Sequence, residues 1–585
     1  MKKCSCIKLY GFTLALFLCI SLFAVSPLAA EPVLADGATF EEIKNISIEN
    51  TDLPPASSFY LYSPSKPHSF DLLSSFLNGV IIVYPDKPYA SKAEALAELW
   101  DKGLIGIAES APTYIVVAQP SNGISWSSED LDLYWVYQYY LSGGYFDIMK
   151  GIGQNPMETQ FVRHTMQTLQ YVIAEGSGAT FANNVLSQDA GRIAGLLSFG
   201  GDVQPGLKPG YAVPAYLVNT TDAAISYWKT ANGTDTRDGN TFVNSGYTQK
   251  KVIVAEGSSQ FDAAIIRDAW GSLLSRSTRL CVSENLVLKS GEKGDWMLMN
   301  WPNLDEIGLN LFSFEFDAST GKANPYGTLE TKSLDSVHLY VPDAIKSNPS
   351  KAVPLVFVLH GMSDDPLNVV MGCGWADKAV EENFIIIAPA TEDADYLIKL
   401  LEYAKSQYAI DETRVYCSGF SMGGMNTIQA GFAYPGIFAA AAPMGATGSL
   451  LEGADSSYDL PICSVVGSID TSNVTIDDDG NSVISGIIPG ALEQAFSFNE
   501  IDPGTADYFQ NKYWGYKGDK FSVVKDKDVN WEISDFYKDG YAQPLIKLVT
   551  FVGAGHANGD YMATIAWDFF SGFSRSANGA VVETG

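Results

Sequence analysis

The residue best equipped by its neighbours to do chemistry is Ser421. The run Tyr416-Cys417-Ser418-Gly419-Phe420-Ser421-Met422-Gly423-Gly424 reads as a strand that feeds a G-x-S-x-G turn and opens into a helix. Gly419 and Gly423 let that turn be sharp, so the Ser421 oxygen projects clear of the backbone. A serine hydroxyl is a weak nucleophile at neutral pH, so it needs a base and a third group to orient the base. The chain has five histidines, which allows elimination. His68 and His164 lie in the first half, His338 alternates with apolar residues and is read as half-buried or solvated, and His360 precedes Gly361 at a strand's end. His556 remains, in the turn Gly553-Ala554-Gly555-His556 that follows an apolar strand over 545–552.

The orienting acid should follow the strand after the serine's helix. Asp470 stands there, after the apolar stretch 461–467. It would fix the imidazole tautomer and stabilise the imidazolium formed during attack. The competing triplet Asp477, Asp478 and Asp479 is followed by Gly480-Asn481 and reads as a solvated acidic turn. Its spacing misses that of a calcium-binding loop. Negative charge developing on an oxygen needs preorganised donors. One is the backbone N–H of Met422, directly after the serine at a helix N-terminus. The other falls in the loop after Leu359-His360-Gly361, at Met362, with the His360 side chain bracing the loop rather than carrying protons. Serine, acid and histidine in this chain order, at strand ends, form the α/β-hydrolase arrangement.

Such side chains need a sheet to hold them. In the second half, His338-Leu339-Tyr340-Val341-Pro342 leads to a buried strand over 354–359, a helix over 375–382 and an apolar strand over 384–388. Continuous Val/Ile/Leu runs alternating with helices indicate an α/β fold with a mostly parallel sheet flanked by helices. The first half echoes that order, with 59–64, a strand over 80–85, a helix over 93–101 and a strand over 114–118. Further on, 214–222 echoes 461–470 and 252–258 echoes 550–556, the last pair each followed by a helix with a tryptophan, Trp270 and Trp567. Four echoes in one order predict a diverged duplication into two α/β-hydrolase-like domains, the N-terminal one a degenerate copy. The expected layout is a signal segment 1–30, a degenerate domain 31–280, a connecting region 281–325 and a catalytic domain 326–585. In the degenerate copy Tyr84-Pro85 is set against His360-Gly361, and Val185-Leu186-Ser187-Gln188-Asp189 against the serine turn. Ser258 is set against His556, and only Asp222 is kept. That half is read as a non-catalytic copy serving structure or substrate docking.

At 585 residues the chain exceeds one core, and its 46% hydrophobic and 18% charged residues are ordinary globular composition. A net charge of −30 argues against nucleic acid and anionic membrane surfaces as partners. Lys2, Lys3 and Lys8, an apolar run over 9–25 and small residues before Glu31 describe a secretory signal peptide. Cleavage after Ala30 or Ala35 fits, so the chain is expected outside the cell with no stable membrane anchor. Cys281, Cys373, Cys417 and Cys463 would remain, too few for a disulfide framework. Cys417 and Cys463 lie in apolar runs and read as buried thiols. No Cys/His cluster has zinc spacing, and no motif calls for a metal or cofactor.

Over 334–575 the second half resembles secreted esterases of the polyhydroxyalkanoate depolymerase and feruloyl or acetylxylan esterase type. The likeness is carried by 354–361, by Gly374-Trp375-Ala376-Asp377 with 384–389, and by Asp411-Glu412-Thr413-Arg414-Val415-Tyr416 running into 419–425. Residues 435–441 and 553–556 complete it. The resemblance implies an α/β-hydrolase fold, a Ser421/Asp470/His556 triad and cleavage of a small or polymeric ester through an acyl-enzyme. The chain departs from the pattern where Ala390 leads quickly to Asp393 and Tyr396, in place of a longer aromatic segment. The insertion between Asp470 and His556, with Phe496, Phe498, Tyr508, Phe509, Tyr513, Trp514 and Tyr516, is either a substitute pocket wall or core. Two other functions stay open: a serine peptidase of the prolyl oligopeptidase type, although 31–320 lacks propeller blade repeats, and a non-catalytic cell-surface binding protein.

Overall fold

The computed structural model describes residues 32–46, 56–67, 78–142, 165–280, 297–325, 335–362, 364–446, 454–468, 470, 473–476, 482–484, 487–507, 513–526, 529–556 and 559–584. The expected signal segment, His68, His164, Cys281, Asp477, Asp478, Asp479, Tyr508 and Phe509 lie outside them. Among the described residues no helix is long and apolar enough to cross a membrane.

Two large mixed sheets flanked by helices carry the chain. Across the second sheet the strands run Lys322–Pro325, Leu309–Asp317, Ser336–Pro342, Ile385–Pro389, Val353–Leu359, Ile410–Phe420, Phe438–Met444, Ile462–Gly467, Ile546–Val552, Val529–Phe536 and Lys520–Asp526. Its six central strands, from Ile385–Pro389 to Ile546–Val552, are parallel. Val353–Leu359, Ile385–Pro389 and Phe438–Met444 are buried along their whole length, as strands covered on both faces must be.

The first sheet runs Thr39–Ile46, Ala56–Ser63, Thr113–Val117, Asn78–Tyr84, Thr165–Glu175, Gly195–Phe199, Ala215–Val218, Tyr247–Ala255, Thr241–Asn244 and Thr236–Asp238. With the outermost strand Lys322–Pro325 set aside, the two sheets agree in strand order, and in the direction of every pairing. Side chains alternate across the first sheet as a strand's period of two requires. Val80, Ile82 and Tyr84 join one core and Ile81 and Val83 the other.

The region 281–325, expected to connect two domains, is not uniform. Met297–Asn300 pairs with Ser277–Leu280, whereas Leu309–Asp317 pairs with Ser336–Pro342 inside the second sheet. The insertion after Asp470 supplies two edge strands beside Ile546–Val552. Its described aromatic residues are largely core: Phe496 packs on Phe536 with ring centroids 4.8 Å apart, and Trp514 is buried. His338, expected half-buried or solvated, is buried and meets Ser313 Oγ at 2.8 Å through Nδ1, with Ser313 directly opposite it on the paired strand Leu309–Asp317. Cys373, Cys417 and Cys463 are buried free thiols, and burial pushes Cys463 up to about 12.

Candidate active site

Parallel strands deliver their C-terminal ends to one rim, so residues remote in sequence meet there. Ile410–Phe420 ends at Ser421, which has φ 56 and ψ −115 and precedes the helix Met422–Ala433. Such a backbone is strained for serine, at about 1–3 kcal/mol. It is held by the Ser421 N–H donating to Met444 O at 2.8 Å. Strand and helix cross so closely that a Cβ on Gly419 would lie 2.5 Å from Gly423 O, and one on Gly423 2.3 Å from Leu359 O. Only glycine fits either place. The Met422 N–H, at the first helical position, is among those with no intrahelical acceptor.

His556 follows Ile546–Val552, and Asp470 follows Ile462–Gly467. His556 Nε2 lies 2.8 Å from Ser421 Oγ, and its Nδ1 lies 2.8 Å from Asp470 Oδ2. An ionised carboxylate only accepts, so Nδ1 carries the proton and Nε2 accepts from the serine hydroxyl. Asp470 is fully buried, whereas the His556 side chain is 31% exposed. Phe420 covers one side of the imidazole, with ring centroids 4.9 Å apart. Asn473, which the sequence reading missed, donates Nδ2 to Asp470 Oδ2 at 2.6 Å and also to Gly445 O. Its three-residue spacing from Asp470 was the available signal.

Gly361 lies beside the serine: a Cβ built on it would stand 3.5 Å from Ser421 Cβ. Met362 follows in the same loop, its side chain largely exposed. His360 is buried beneath, with Nδ1 2.7 Å from Gly361 O and Nε2 3.1 Å from Ala390 O. Glu392, also missed, accepts the His360 backbone N–H and takes a 2.8 Å bond from Asn426 Nδ2. A lone glutamate in a short loop carries no motif.

The first sheet has a rim of similar backbone that carries different side chains. Tyr84 pairs with Ala174 as Leu359 pairs with Gly419. Gly176 therefore matches Ser421, and its φ of 54 is nearly the same. The match of the serine turn to Val185-Leu186-Ser187-Gln188-Asp189 is thereby corrected, since most of that stretch forms a short 3-10 segment after the helix Gly176–Asn184. Glycine stands at the serine's place in this register, and both turns share the positive φ. By the same register Pro85-Asp86, not Tyr84-Pro85, stands against His360-Gly361. Asp86 Oδ1 accepts the Ser177 N–H at 2.7 Å, which is the amide corresponding to that of Met422. Ser258 Oγ accepts from Gln260 N at 3.1 Å, and Asp222 opens the helix Asp222–Ala231.

No family model matches the chain. It is 34% identical to a bifunctional acetylxylan esterase/xylanase of Neocallimastix patriciarum over 106 residues, 16% of this chain and 15% of that one. It is 29% identical to feruloyl esterase B of Thermothelomyces thermophilus over 126 residues, 18% of this chain and 42% of that one. A poly(3-hydroxybutyrate) depolymerase of Ralstonia pickettii is 29% identical over 165 residues, covering 22% and 34%. The chain thus spans less than half the length of each of these relatives. Among solved structures, an acetyl xylan esterase from Aspergillus awamori matches at 15% identity and a TM-score of 0.30, over 45% of this chain and 98% of that one. The chain resembles esterases of these kinds in part.

Proposed function

We propose that this chain is a secreted serine hydrolase of carboxylic esters, acting from the second sheet. Ser421 Oγ bonds to the acyl carbon while its proton passes to His556 Nε2, and the carbonyl oxygen becomes an oxyanion facing the Met422 and Met362 amides. Collapse breaks the bond to the alcohol oxygen, which takes the proton from His556. Water then repeats the sequence on the acyl-enzyme, returning the acid and free Ser421. Asp470, held by Asn473, keeps Nδ1 protonated and stabilises the imidazolium.

The observation that carries this reading is the unbroken chain of two 2.8 Å contacts from Ser421 through His556 to buried Asp470. The names of the relatives favour esters of plant cell-wall polysaccharides or polyesters as substrates. The first half we read as a duplicated, non-catalytic copy, on its strand order and on glycine at the serine's place. It is built as one open sheet rather than as propeller blades, which speaks for esters over the peptides of a propeller-capped peptidase.

The test is labelling of the full chain with a fluorophosphonate, alongside hydrolysis of acetyl, feruloyl and hydroxybutyrate esters. Labelling at Ser421 with turnover of at least one ester is expected. A chain that neither labels nor turns over any ester, under conditions that label a control hydrolase, would leave the binding-protein reading.

A further inference from the structure

Behind Ser421 the buried loop holds a charge arrangement that the Ser421–His556 chemistry does not use. Both ring nitrogens of His360 face backbone carbonyls, Gly361 O at 2.7 Å and Ala390 O at 3.1 Å. A carbonyl oxygen only accepts, and a neutral imidazole has one N–H. Both contacts are hydrogen bonds only when the ring carries two protons. A buried cation needs a counter-charge. Glu392 supplies one, with Oε1 3.7 Å from His360 Nε2. Asp364, from the same loop, and the Cys417 thiol, from the strand below, are the other titratable groups facing this cluster. Burial disfavours the His360 charge, but Glu392, the Gly361 and Ala390 carbonyls and Asp364 outweigh it, and its net shift is upward.

Gly361 O also accepts the Asp364 N–H at 3.0 Å, so both of its lone pairs are used. In a planar trans peptide the C=O of one residue and the N–H of the next point in opposite directions. Fixing the Gly361 carbonyl inward on His360 therefore turns the Met362 N–H away from the imidazole. Asn426 sits on the helix that Ser421 begins and donates to the same Glu392. One buried acid thus ties the donor loop to the nucleophile's helix.

We propose that His360 is a positioning residue acting as a doubly protonated imidazolium paired with Glu392, which locks the Gly361–Met362 peptide and aims the Met362 amide at the oxyanion. The proposal rests on the ester-hydrolase reading above, so the two need separable tests. Fluorophosphonate labelling and ester turnover by wild type address that reading alone. The imidazolium is tested by 15N-histidine NMR of the full chain at pH 7.5, with the other four histidines replaced one at a time for assignment. Two protonated ring nitrogens at His360 are expected, and a single protonated nitrogen overturns the proposal. The positioning role is read from Glu392→Gln, which keeps the shape and removes the charge. Its kcat should fall about 10-fold with KM within about twofold, affinity for a boronic acid should fall in parallel, and Glu392→Asp should recover part of the rate. A Glu392→Gln kcat within twofold of wild type overturns the role. The NMR measurement needs no change at Glu392, so it decides the matter even where that variant does not fold.

Discussion

Arg279 and Arg575 hold the same strand in the two halves of the chain. Arg575 Nε donates to Phe438 O at 2.9 Å, and Arg279 Nε donates to Ile193 O at 2.8 Å. Phe438 precedes Met444 by as many residues as Ile193 precedes Phe199, and those two strand ends correspond in the matched sheets. Each arginine follows the last helix of its half, Met562–Phe570 or Ala263–Ser272. Both are buried, and burial lowers Arg575 to about 10. The shared anchor adds to the proposed duplication a feature that the sequence echoes did not contain. Replacing either by methionine strands buried carbonyls, at a cost of about 1–3 kcal/mol. Calorimetry should find Arg279→Met destabilised while its kcat at 25 °C stays within about twofold of wild type. A rate loss as large as that of Arg575→Met would contradict two separately supported sheets.

The serine's backbone makes a second expectation. Ser421→Ala should remove fluorophosphonate labelling of the whole chain and lower kcat by about 10⁴-fold or more. Residual labelling at Ser177, Ser187 or Ser258 would contradict the inert reading of the first half. Ser421→Gly should be equally inactive yet more stable than Ser421→Ala by up to about 1 kcal/mol. Glycine relieves the positive φ, while its extra unfolded-state entropy offsets part of the gain. Chemical denaturation of the two variants compares them directly.

Asn473 bears on the acid. Asn473→Ala takes a donor from Asp470 Oδ2 and another from Gly445 O, both in buried surroundings. Stability should fall by about 1–3 kcal/mol, and kcat by about 10-fold as Asp470 loses its orientation. Asn473→Asp should be worse at pH 8, where a second carboxylate faces the first, and should approach the alanine variant as pH falls. An Asn473→Asp rate at pH 8 equal to that of wild type would show that Asn473 acts by shape alone.

What the sequence disclosed follows from how much chemistry a position carries in its own residue types. Ser421 was legible because a serine at so tight a strand–helix crossing forces glycines on both sides, and that pattern is local. His556 was legible by scarcity, and Asp470 by its place after an apolar strand. Gly176 was not, since a positive φ needs only glycine and one glycine among 53 says nothing. Glu392 was hidden because its role exists only when loops distant in sequence meet, and Asn473, three residues from Asp470, belongs to no motif. The outer antiparallel strands Val529–Phe536 and Lys520–Asp526 were masked by mixed composition, which lacks the continuous apolar run of a central parallel strand.

Glu392 makes the stability of the fold depend on pH. Burial pushes its carboxyl up to about 7, against the opposing effects of His360 and Asn426. The ordinary value is 4.5. Since the folded value lies above the unfolded one, the fold binds this proton more tightly. Its stabilising contribution is complete below pH about 4.5 and is lost as pH rises through about 7. Glu392→Gln does not titrate, so the unfolding free energy of wild type minus that of the variant should fall across this window. The fall should be about 3 kcal/mol at most. In the variant His360 loses its counter-charge and holds its proton less tightly, which moves the difference the same way. Asp317, held at about 2 by Ser319 and Thr320, is present in both proteins and cancels. Denaturant unfolding of the pair at pH 4.5, 5.5, 6.5 and 7.5 measures the difference, and a value that is flat or rises with pH would rule out the upward shift.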